Sequence, residues 1–291
     1  MTTAELARKV RLVELRARKT VGGALSGAYH SAFKGQGVEF QEVREYVPGD
    51  DTRSIDWNVT ARVGRPYLKR FAEERDQTVV LLLDASRSHF FGTGAAIKYE
   101  AAAEVLAILA FAAVYNKDET ALILFTDEVE HYVPPGRGPT HVLRIIRDVL
   151  AWEPKGHRTS IARALDFLAR VHRRRSLAVL ISDFLDDHFE RPLRICARRH
   201  DLIAISVFDP REDRLPDCGL VDVEDAESGQ RYTIDTGHPE IRALWEAAAG
   251  ERAARLQALF RAANIDHLRV EAGADLLRPL IPFLRRHGAR D

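Results

Sequence analysis

Apolar and polar positions alternate along the chain in blocks that predict strands and helices in turn from residue 78 onwards. Thr78–Asp84 is a continuous apolar run, which is typical of a strand buried on both faces of a sheet. Residues 95–116 are Ala-rich and apolar on nearly all sides, which predicts a long helix packed on that sheet. Further strands are predicted at 120–129, 131–134, 176–185, 201–209 and 267–272, and further helices at 140–152, 160–172, 191–200, 239–264 and 275–286. This alternation predicts an α/β fold with a doubly wound, mostly parallel sheet.

The first twenty residues predict a short amphipathic helix with a cationic outer face. Leu6, Val10 and Val13 recur at helical spacing, and six cations against two acidic residues give this segment a net charge of +4. We interpret it as a docking helix whose charged face is solvated, with a nucleic-acid-binding arm as the alternative.

Residues 21–76 are rich in Gly and turn signals, with short strand-like runs at 38–47 and 66–72. They predict a small β appendage that has too few apolar residues to bury a core of its own. We therefore divide the chain into an N-terminal helix and appendage, 1–76, and an α/β domain, 77–291.

Charge and composition exclude several classes of protein. Lys and Arg total 43 and Asp and Glu total 43. This zero net charge argues against a protein that coats nucleic acid or a membrane surface. Two cysteines, Cys196 and Cys218, are too few for a disulfide scaffold or a four-cysteine zinc site, and indicate a reducing compartment.

The longest apolar run has eleven residues, about half of a membrane span. With no apolar signal core at the N-terminus, we expect a cytoplasmic protein without a membrane span.

Oxygen-bearing side chains gather where two strongly apolar strands end. Asp84, Ser86 and Ser88 follow the first strand, Asp183 follows the strand that starts at residue 176, and Thr159 begins a helix between them. In a doubly wound sheet the ligand site lies outside the carboxyl ends of the strands, at the switch point, so these five residues are expected to converge. Carboxylates and hydroxyls without thiolate or imidazole suit Mg²⁺ or Mn²⁺.

The D-x-S-x-S spacing at Asp84, with a later Thr and Asp, resembles the metal-ion-dependent adhesion site of von Willebrand factor A (vWA) domains. The resemblance implies that Asp84, Ser86, Ser88, Thr159 and Asp183 hold Mg²⁺ directly or through water. An acidic side chain from a partner protein would then complete the shell of the ion.

Two alternatives to Thr159 remain open, because Ser160 could cap the same helix and Thr140 begins another one. Thr159 is preferred because it follows a Gly loop and precedes Ile161-x-x-Ala164-Leu165, a run seen in vWA domains. His89 stands directly after Ser88, where a Met is common in this motif. It could perturb the surroundings of the metal or simply line the loop.

The segment before this motif, residues 34–76 (KGQGVEFQEVREYVPGDDTRSIDWNVTARVGRPYLKRFAEERD), resembles the signature of the domain of unknown function 58 (DUF58) family. In that family a vWA-like domain follows such a segment, and the likeness extends from about residue 26 to residue 187. We expect Trp57 to be buried against the vWA-like domain, with Arg44, Arg53, Asp50 and Asp56 forming ion pairs around it.

The DUF58 resemblance implies a MoxR-type AAA+ ATPase as partner, in systems that assemble or metallate other proteins. Many members carry N-terminal membrane helices, and their absence here suggests a soluble variant. We therefore hypothesise a non-enzymatic, metal-ion-dependent protein-binding module that acts as an adaptor for such an ATPase or its client.

Two other functions stay open. A Mg-dependent phosphohydrolase could use the same carboxylates, although Ser86 occupies the place of the second Asp of haloacid-dehalogenase phosphatases and no catalytic base is identifiable. The other open function is that of a purely structural scaffold whose ion site is empty. The chain has no G-x-S-x-G, P-loop or H-E-x-x-H motif, which removes the serine hydrolase, P-loop NTPase and zincin interpretations.

Overall fold

The chain forms two compact units, the larger made of residues 1–33 and 77–291 and the smaller of residues 34–76. The structure is a computed structural model that describes residues 3–20, 25–32, 37–47, 50–52, 55–74, 77–94 and 96–289. The smaller unit ends at residue 76, where we place the domain boundary. The N-terminal residues, which the sequence analysis grouped with the appendage, lie in the larger unit.

The described secondary structure comprises ten helices, ten strands and short 3₁₀ segments. The helices are α1 (Thr3–Thr20), α2 (Ser26–Ala32), α3 (Trp57–Val63), α4 (Lys98–Tyr115), α5 (Pro139–Leu150), α6 (Ile161–Val171), α7 (Glu190–Arg199), α8 (Pro210–Asp213), α9 (Pro239–Ala262) and α10 (Leu277–His287). The strands are β1 (Gly37–Glu45), β2 (Tyr67–Glu74), β3 (Thr78–Asp84), β4 (Glu119–Phe125), β5 (Val129–Gly136), β6 (Leu177–Ser182), β7 (Asp201–Phe208), β8 (Leu220–Glu224), β9 (Arg231–Asp235) and β10 (Asp266–Glu271). A 3₁₀ helix covers Arg87–Phe90.

The larger unit contains a six-stranded sheet in the spatial order β10-β7-β6-β3-β4-β5. The first five of these strands run parallel, and β5 pairs antiparallel with β4. The chain passes from β3 to β4 on one side and later returns to β6 on the other, so the switch point lies between the carboxyl ends of β3 and β6. The predicted doubly wound, mostly parallel α/β sheet is confirmed.

Burial on both faces explains why the central strands are apolar throughout. In β3, Leu81 and Leu83 face a cluster that includes residues of α4, α5 and α10, whereas Leu82 faces a cluster built from α6 and α7. Helix α4 is buried almost all round because α1 and α5 pack against it in addition to the sheet. This arrangement fixes the end of β3 and the start of α4 beside the switch point.

The N-terminal helix α1 packs on α4, as expected for a docking helix. Val10 and Val13 contact the core beneath, and the Lys9 ammonium lies 2.9 Å from Glu100 of α4. Helix α2 follows and was not predicted. It buries Tyr29, whose hydroxyl donates to Asp118 at 3.1 Å.

In the smaller unit, the two predicted strand-like runs correspond to β1 and β2, which pair antiparallel, and α3 lies between them in sequence. Asp56 begins α3 by accepting the N–H groups of Asn58 and Val59. Asp50 and Arg44 form a two-pronged ion pair with N–O distances of 2.7 and 2.8 Å.

Trp57 is exposed within the smaller unit, and its burial against the vWA-like domain stays a prediction. Trp57 opens α3, a helix without buried residues, and its side chain is 68% exposed. Of the charged groups expected around Trp57, Arg44 and Asp50 pair with each other, Asp56 caps the helix, and Arg53 lies outside the described residues.

Two strand and loop boundaries also differ from prediction. The predicted strand at 120–129 ends at Phe125 because the chain turns there into the hairpin with β5. The acidic loop between β7 and α9 contains α8 and the two-stranded hairpin β8–β9, neither of which was predicted. This hairpin belongs to the functional site described below.

Candidate metal centre

The carboxylate of Asp84 lies at the centre of the switch point, where β3 ends. It is fully buried, because β6 runs alongside and the chain turns over it. Its Oδ1 accepts the N–H of Ser86 at 2.9 Å, and its Oδ2 accepts the hydroxyl of Ser182 at 2.6 Å. Both oxygens are therefore held in fixed positions by neutral donors.

The hydroxyls of the motif point to the same place. Ser86 precedes the 3₁₀ helix and Ser88 lies within it, and this tight turn brings their Oγ atoms to 3.0 Å from each other. The hydroxyl of Ser88 helps to lower the pKa of Asp183, the residue that follows β6. Asp84, Ser86, Ser88 and Asp183 are thus brought together as predicted.

A buried ammonium group, that of Lys98, neutralises Asp183. Lys98 is the first residue of α4, and its Nζ donates to Asp183 Oδ2 at 2.8 Å and to Glu212 Oε1 at 2.5 Å. Burial alone would raise the pKa of Asp183, but His89 and Lys98 lower it to about 2. Burial would likewise lower the pKa of Lys98, but Asp183 and Glu212 raise it, so Lys98 stays charged at neutral pH.

Asp84 has no such counter-charge. Within the described part of the chain, no Lys or Arg forms an ion pair with it, and the nearest basic nitrogen is His89 Nε2 at 3.7 Å. Burial raises the pKa of Asp84, and the charge of Asp183 adds to the rise. A buried carboxylate of this kind favours either a proton or a bound cation. The oxygen donors around it fit a hard divalent ion such as Mg²⁺.

Thr159 lies at the same edge of the sheet, on the loop before α6. The N–H of Ser160 donates to the carbonyl of Thr126, which follows β4, at 2.8 Å. The side chain of Ser160 caps α6, while the hydroxyl of Thr159 donates to Glu227 Oε1 at 3.0 Å. Thr140 is exposed and follows β5, whose last residue pairs with the start of β4, so it lies at the opposite edge.

Glu130 of β5 holds the loop that carries Thr159. Its carboxylate accepts the N–H of Gly156 at 2.7 Å, the indole N–H of Trp152 at 2.8 Å and the hydroxyl of Thr126 at 2.7 Å. Any side chain at residue 156 would collide with Thr126 and Asp127. The loop therefore requires glycine at this position.

Comparison with known proteins places the chain in a family. The family model described as "Protein of unknown function DUF58" matches residues 42–255. The chain belongs to the DUF58 family. It is 34% identical over 292 residues to the uncharacterized protein Rv1480 of Mycobacterium tuberculosis, covering 98% of this chain and 91% of that protein. The uncharacterized protein MAV169 of Mycobacterium avium is 36% identical over 163 residues, which are 53% of this chain and 95% of that protein.

Two solved structures resemble this DUF58 chain at low sequence identity. The conserved hypothetical protein BatB from Bacteroides thetaiotaomicron is 15% identical, with a TM-score of 0.47 over 74% of this chain and all of that chain. The VWA domain of SpRpn10 is 13% identical, with a TM-score of 0.42 over 72% of this chain and 97% of that chain. Among the residues that the structure describes, no helix of the DUF58 chain is long and apolar enough to cross a bilayer.

His89 is a further candidate ligand in the DUF58 chain. One ligand atom from each of Asp84, His89 and Asp183 lies within 4.8 Å of the other two. His89 is fully buried, and its Nε2 accepts the N–H of Asp183 at 2.9 Å. Its Nδ1 has no hydrogen-bond partner in the described structure. His89 thus lies between the two loops and fixes the position of Asp183.

Sequence reasoning missed several polar residues of this site: Lys98, Ser182, Glu212 and Glu227. Ser182 directly precedes Asp183 at the end of an apolar strand and could have been found by the rule that found Asp183. Lys98 gave a weaker signal, as a cation at the start of a largely apolar helix. Glu212 and Glu227 lie in the acidic loop and have no local signal.

Proposed function

We propose that this DUF58 protein is a non-enzymatic, metal-ion-dependent protein-binding module. The ion, Mg²⁺ or Mn²⁺, would be held by Asp84, Ser86, Ser88, Thr159 and Asp183. The main support is the buried carboxylate of Asp84, which lies among oxygen donors without a Lys or Arg partner in the described structure. A divalent cation would supply the missing positive charge.

An acidic side chain of a partner protein would complete the shell of the ion. Because Lys98 already neutralises Asp183, mainly Asp84 would balance the charge of the ion. The ion would therefore remain a Lewis acid that can bind a further carboxylate. We further propose a MoxR-type AAA+ ATPase, or its client, as the partner, with the DUF58 protein acting as a cytoplasmic adaptor. This step rests on the family resemblance alone.

The network around Lys98 favours binding over catalysis. Lys98 is held between the carboxylates of Asp183 and Glu212, which raise its pKa, so it is protonated and cannot act as a general base. Asp183 is likewise paired and carries a lowered pKa. These constraints suit a preformed binding site rather than one that moves protons.

The test has two parts. Calorimetric titration with Mn²⁺ should show one site in the wild type and none in Asp84→Ala, with Asp84→Asn as a second variant that preserves the shape of the side chain. A purified MoxR-type ATPase from the same organism should bind the wild type in Mg²⁺ and lose binding in EDTA and in both variants. Undiminished binding in Asp84→Asn would overturn the mechanism. Hydrolysis of p-nitrophenyl phosphate that depends on both Mg²⁺ and Asp84 would favour the phosphohydrolase.

A further inference from the structure

The tip of the β8–β9 hairpin is a preformed turn that presents one carboxylate. Asp225 accepts the N–H groups of Glu227 and Ser228 at 3.2 and 2.6 Å, and the Ser228 hydroxyl at 2.6 Å. The N–H of Gly229 donates to the carbonyl of Asp225 at 2.8 Å, which closes the turn. The backbone of Glu227 is therefore held in position by its own neighbours.

Glu227 is directed from this turn towards the candidate metal centre. Most residues of the hairpin are exposed or half-buried, but the carboxylate of Glu227 accepts the hydroxyl of Thr159 at 3.0 Å, across 68 residues of sequence. A third carboxylate thus contacts the hydroxyl of a candidate ligand of the site.

Three carboxylates around one cluster of hydroxyls repel one another unless a cation lies among them. In the described structure, the ammonium of Lys98 pairs with Asp183, whereas neither Asp84 nor Glu227 pairs with a Lys or Arg. Glu227 also contacts Thr159, the candidate ligand from the loop before α6. It also lines the same cavity as Ser88 and Asp183, so its carboxylate faces the site from the hairpin.

We propose that Glu227 is an internal acidic ligand of the site, which occupies the open position until the acidic side chain of a partner displaces it. This inference rests on the proposed metal-dependent function. It assigns to the β8–β9 hairpin the role of an autoinhibitory arm, and it identifies the competing ligand as a carboxylate. A free carboxylate should therefore reach the ion far more readily when Glu227 is absent.

The experiment uses the full chain and Mn²⁺ as the probe. Free Mn²⁺ is measured by electron paramagnetic resonance, and water bound to the ion by proton relaxation, in the wild type, Glu227→Gln and Asp84→Asn. Glu224→Gln is the matched control, since Glu224 lies on the same hairpin but pairs with Arg231 at 2.8 Å. Loss of one ligand should weaken Mn²⁺ binding by at least about tenfold, which is the loss seen when only a group that supports a ligand is removed.

Glu227→Gln should also increase the water relaxation, because water enters the vacated position. Millimolar acetate should reduce this relaxation in Glu227→Gln and leave the wild type and Glu224→Gln unchanged. If Glu227→Gln matches the wild type in affinity, hydration and response to acetate, Glu227 is not a ligand, while loss of Mn²⁺ binding in Asp84→Asn would still support the proposed function. If the wild type and Glu227→Gln both fail to bind Mn²⁺, the metal-dependent function and this inference are both overturned.

Discussion

The ammonium of Lys98 and the carboxylate of Asp183 form a buried ion pair, with 2.8 Å between Nζ and Oδ2 and side-chain exposures of 0% and 2%. The two residues are 85 positions apart and join the start of α4 to the end of β6. Lys98 also contacts Glu212, so three loops at the carboxyl edge of the sheet are tied together. The candidate metal centre therefore has an internal cation of its own.

Replacement of Lys98 by Met should destabilise the protein by about 3–5 kcal/mol, because Asp183 would remain buried without a counter-charge. Urea unfolding measures this loss in the presence of EDTA. Added Mn²⁺ should restore part of it, since the ion would take over the charge of Lys98. Lys9→Met is the control: its pair with Glu100 is about half exposed and should contribute less than about 1 kcal/mol. A similar loss in both variants would contradict the assignment.

Asp84→Asn should stabilise the protein in EDTA at neutral pH, because Asn removes a buried charge that has no Lys or Arg partner in the described structure. The folded-state pKa of Asp84 is raised, so its contribution is favourable at low pH and is lost as the pH rises through that pKa. At neutral pH the buried charge is a cost, which Asn removes.

Mn²⁺ should reverse this order of stability. A concentration one hundred times the dissociation constant would stabilise the wild type by about 2.7 kcal/mol and leave Asp84→Asn unchanged. Thermal unfolding of the wild type and Asp84→Asn, each with and without Mn²⁺, gives the four stabilities to be compared. An Asn variant that is less stable than the wild type in EDTA would show that Asp84 has a structural role.

Gly156→Ala should displace the loop that carries Thr159, because the new Cβ would collide with Thr126 and Asp127. The expected cost is about 1–3 kcal/mol, together with weaker binding of Mn²⁺. Gly94→Ala is the matched control, since a Cβ at residue 94 has no heavy atom within 4 Å. Equal Mn²⁺ affinity in the two variants would argue against a role for the Thr159 loop.

His287 should make the stability of the protein depend on pH in the alkaline range. Its ring nitrogens lie 2.6 Å from Asp266 and 3.2 Å from Asp201, the first residues of β10 and β7. Burial alone would lower the pKa of His287, but these two carboxylates raise it from 6.5 to about 8. The stabilisation, about 2 kcal/mol, is complete below pH ~6.5 and is lost as the pH rises through about 8.

Unfolding of the wild type and His287→Gln between pH 6 and pH 9 tests this dependence. The stability difference between them should shrink as the pH rises, because only the wild type loses a proton from residue 287. A constant difference across this range would show that His287 keeps the same charge state throughout.

The sequence predicts those parts of the site that short segments encode. Asp84, Ser86 and Ser88 follow one buried strand and Asp183 follows another, so the fold class alone brings them together. The contact between Thr159 and Glu227 spans 68 residues and depends on a hairpin whose strands are largely exposed. Such a hairpin leaves little apolar pattern to detect.

Trp57 shows a different limit of sequence reasoning. A large aromatic side chain favours burial, but residue type alone does not decide where a side chain points. The cap at Asp56 places Trp57 at the exposed first turn of α3. The short helix α2 was missed for a related reason, since its seven residues are mostly small or polar and its burial depends on Tyr29.

The antiparallel pairing of β1 with β2 has a consequence for how the chain could be rearranged. Gly37 and Glu74 are paired neighbours, so the described part of this unit begins and ends at nearly the same point in space. A segment whose two ends meet can be excised and replaced by a short Gly-Ser bridge without stretching the flanking chain. The signature segment between these two residues is in this sense closed at its base, as an insertion between two neighbouring points of a chain would be.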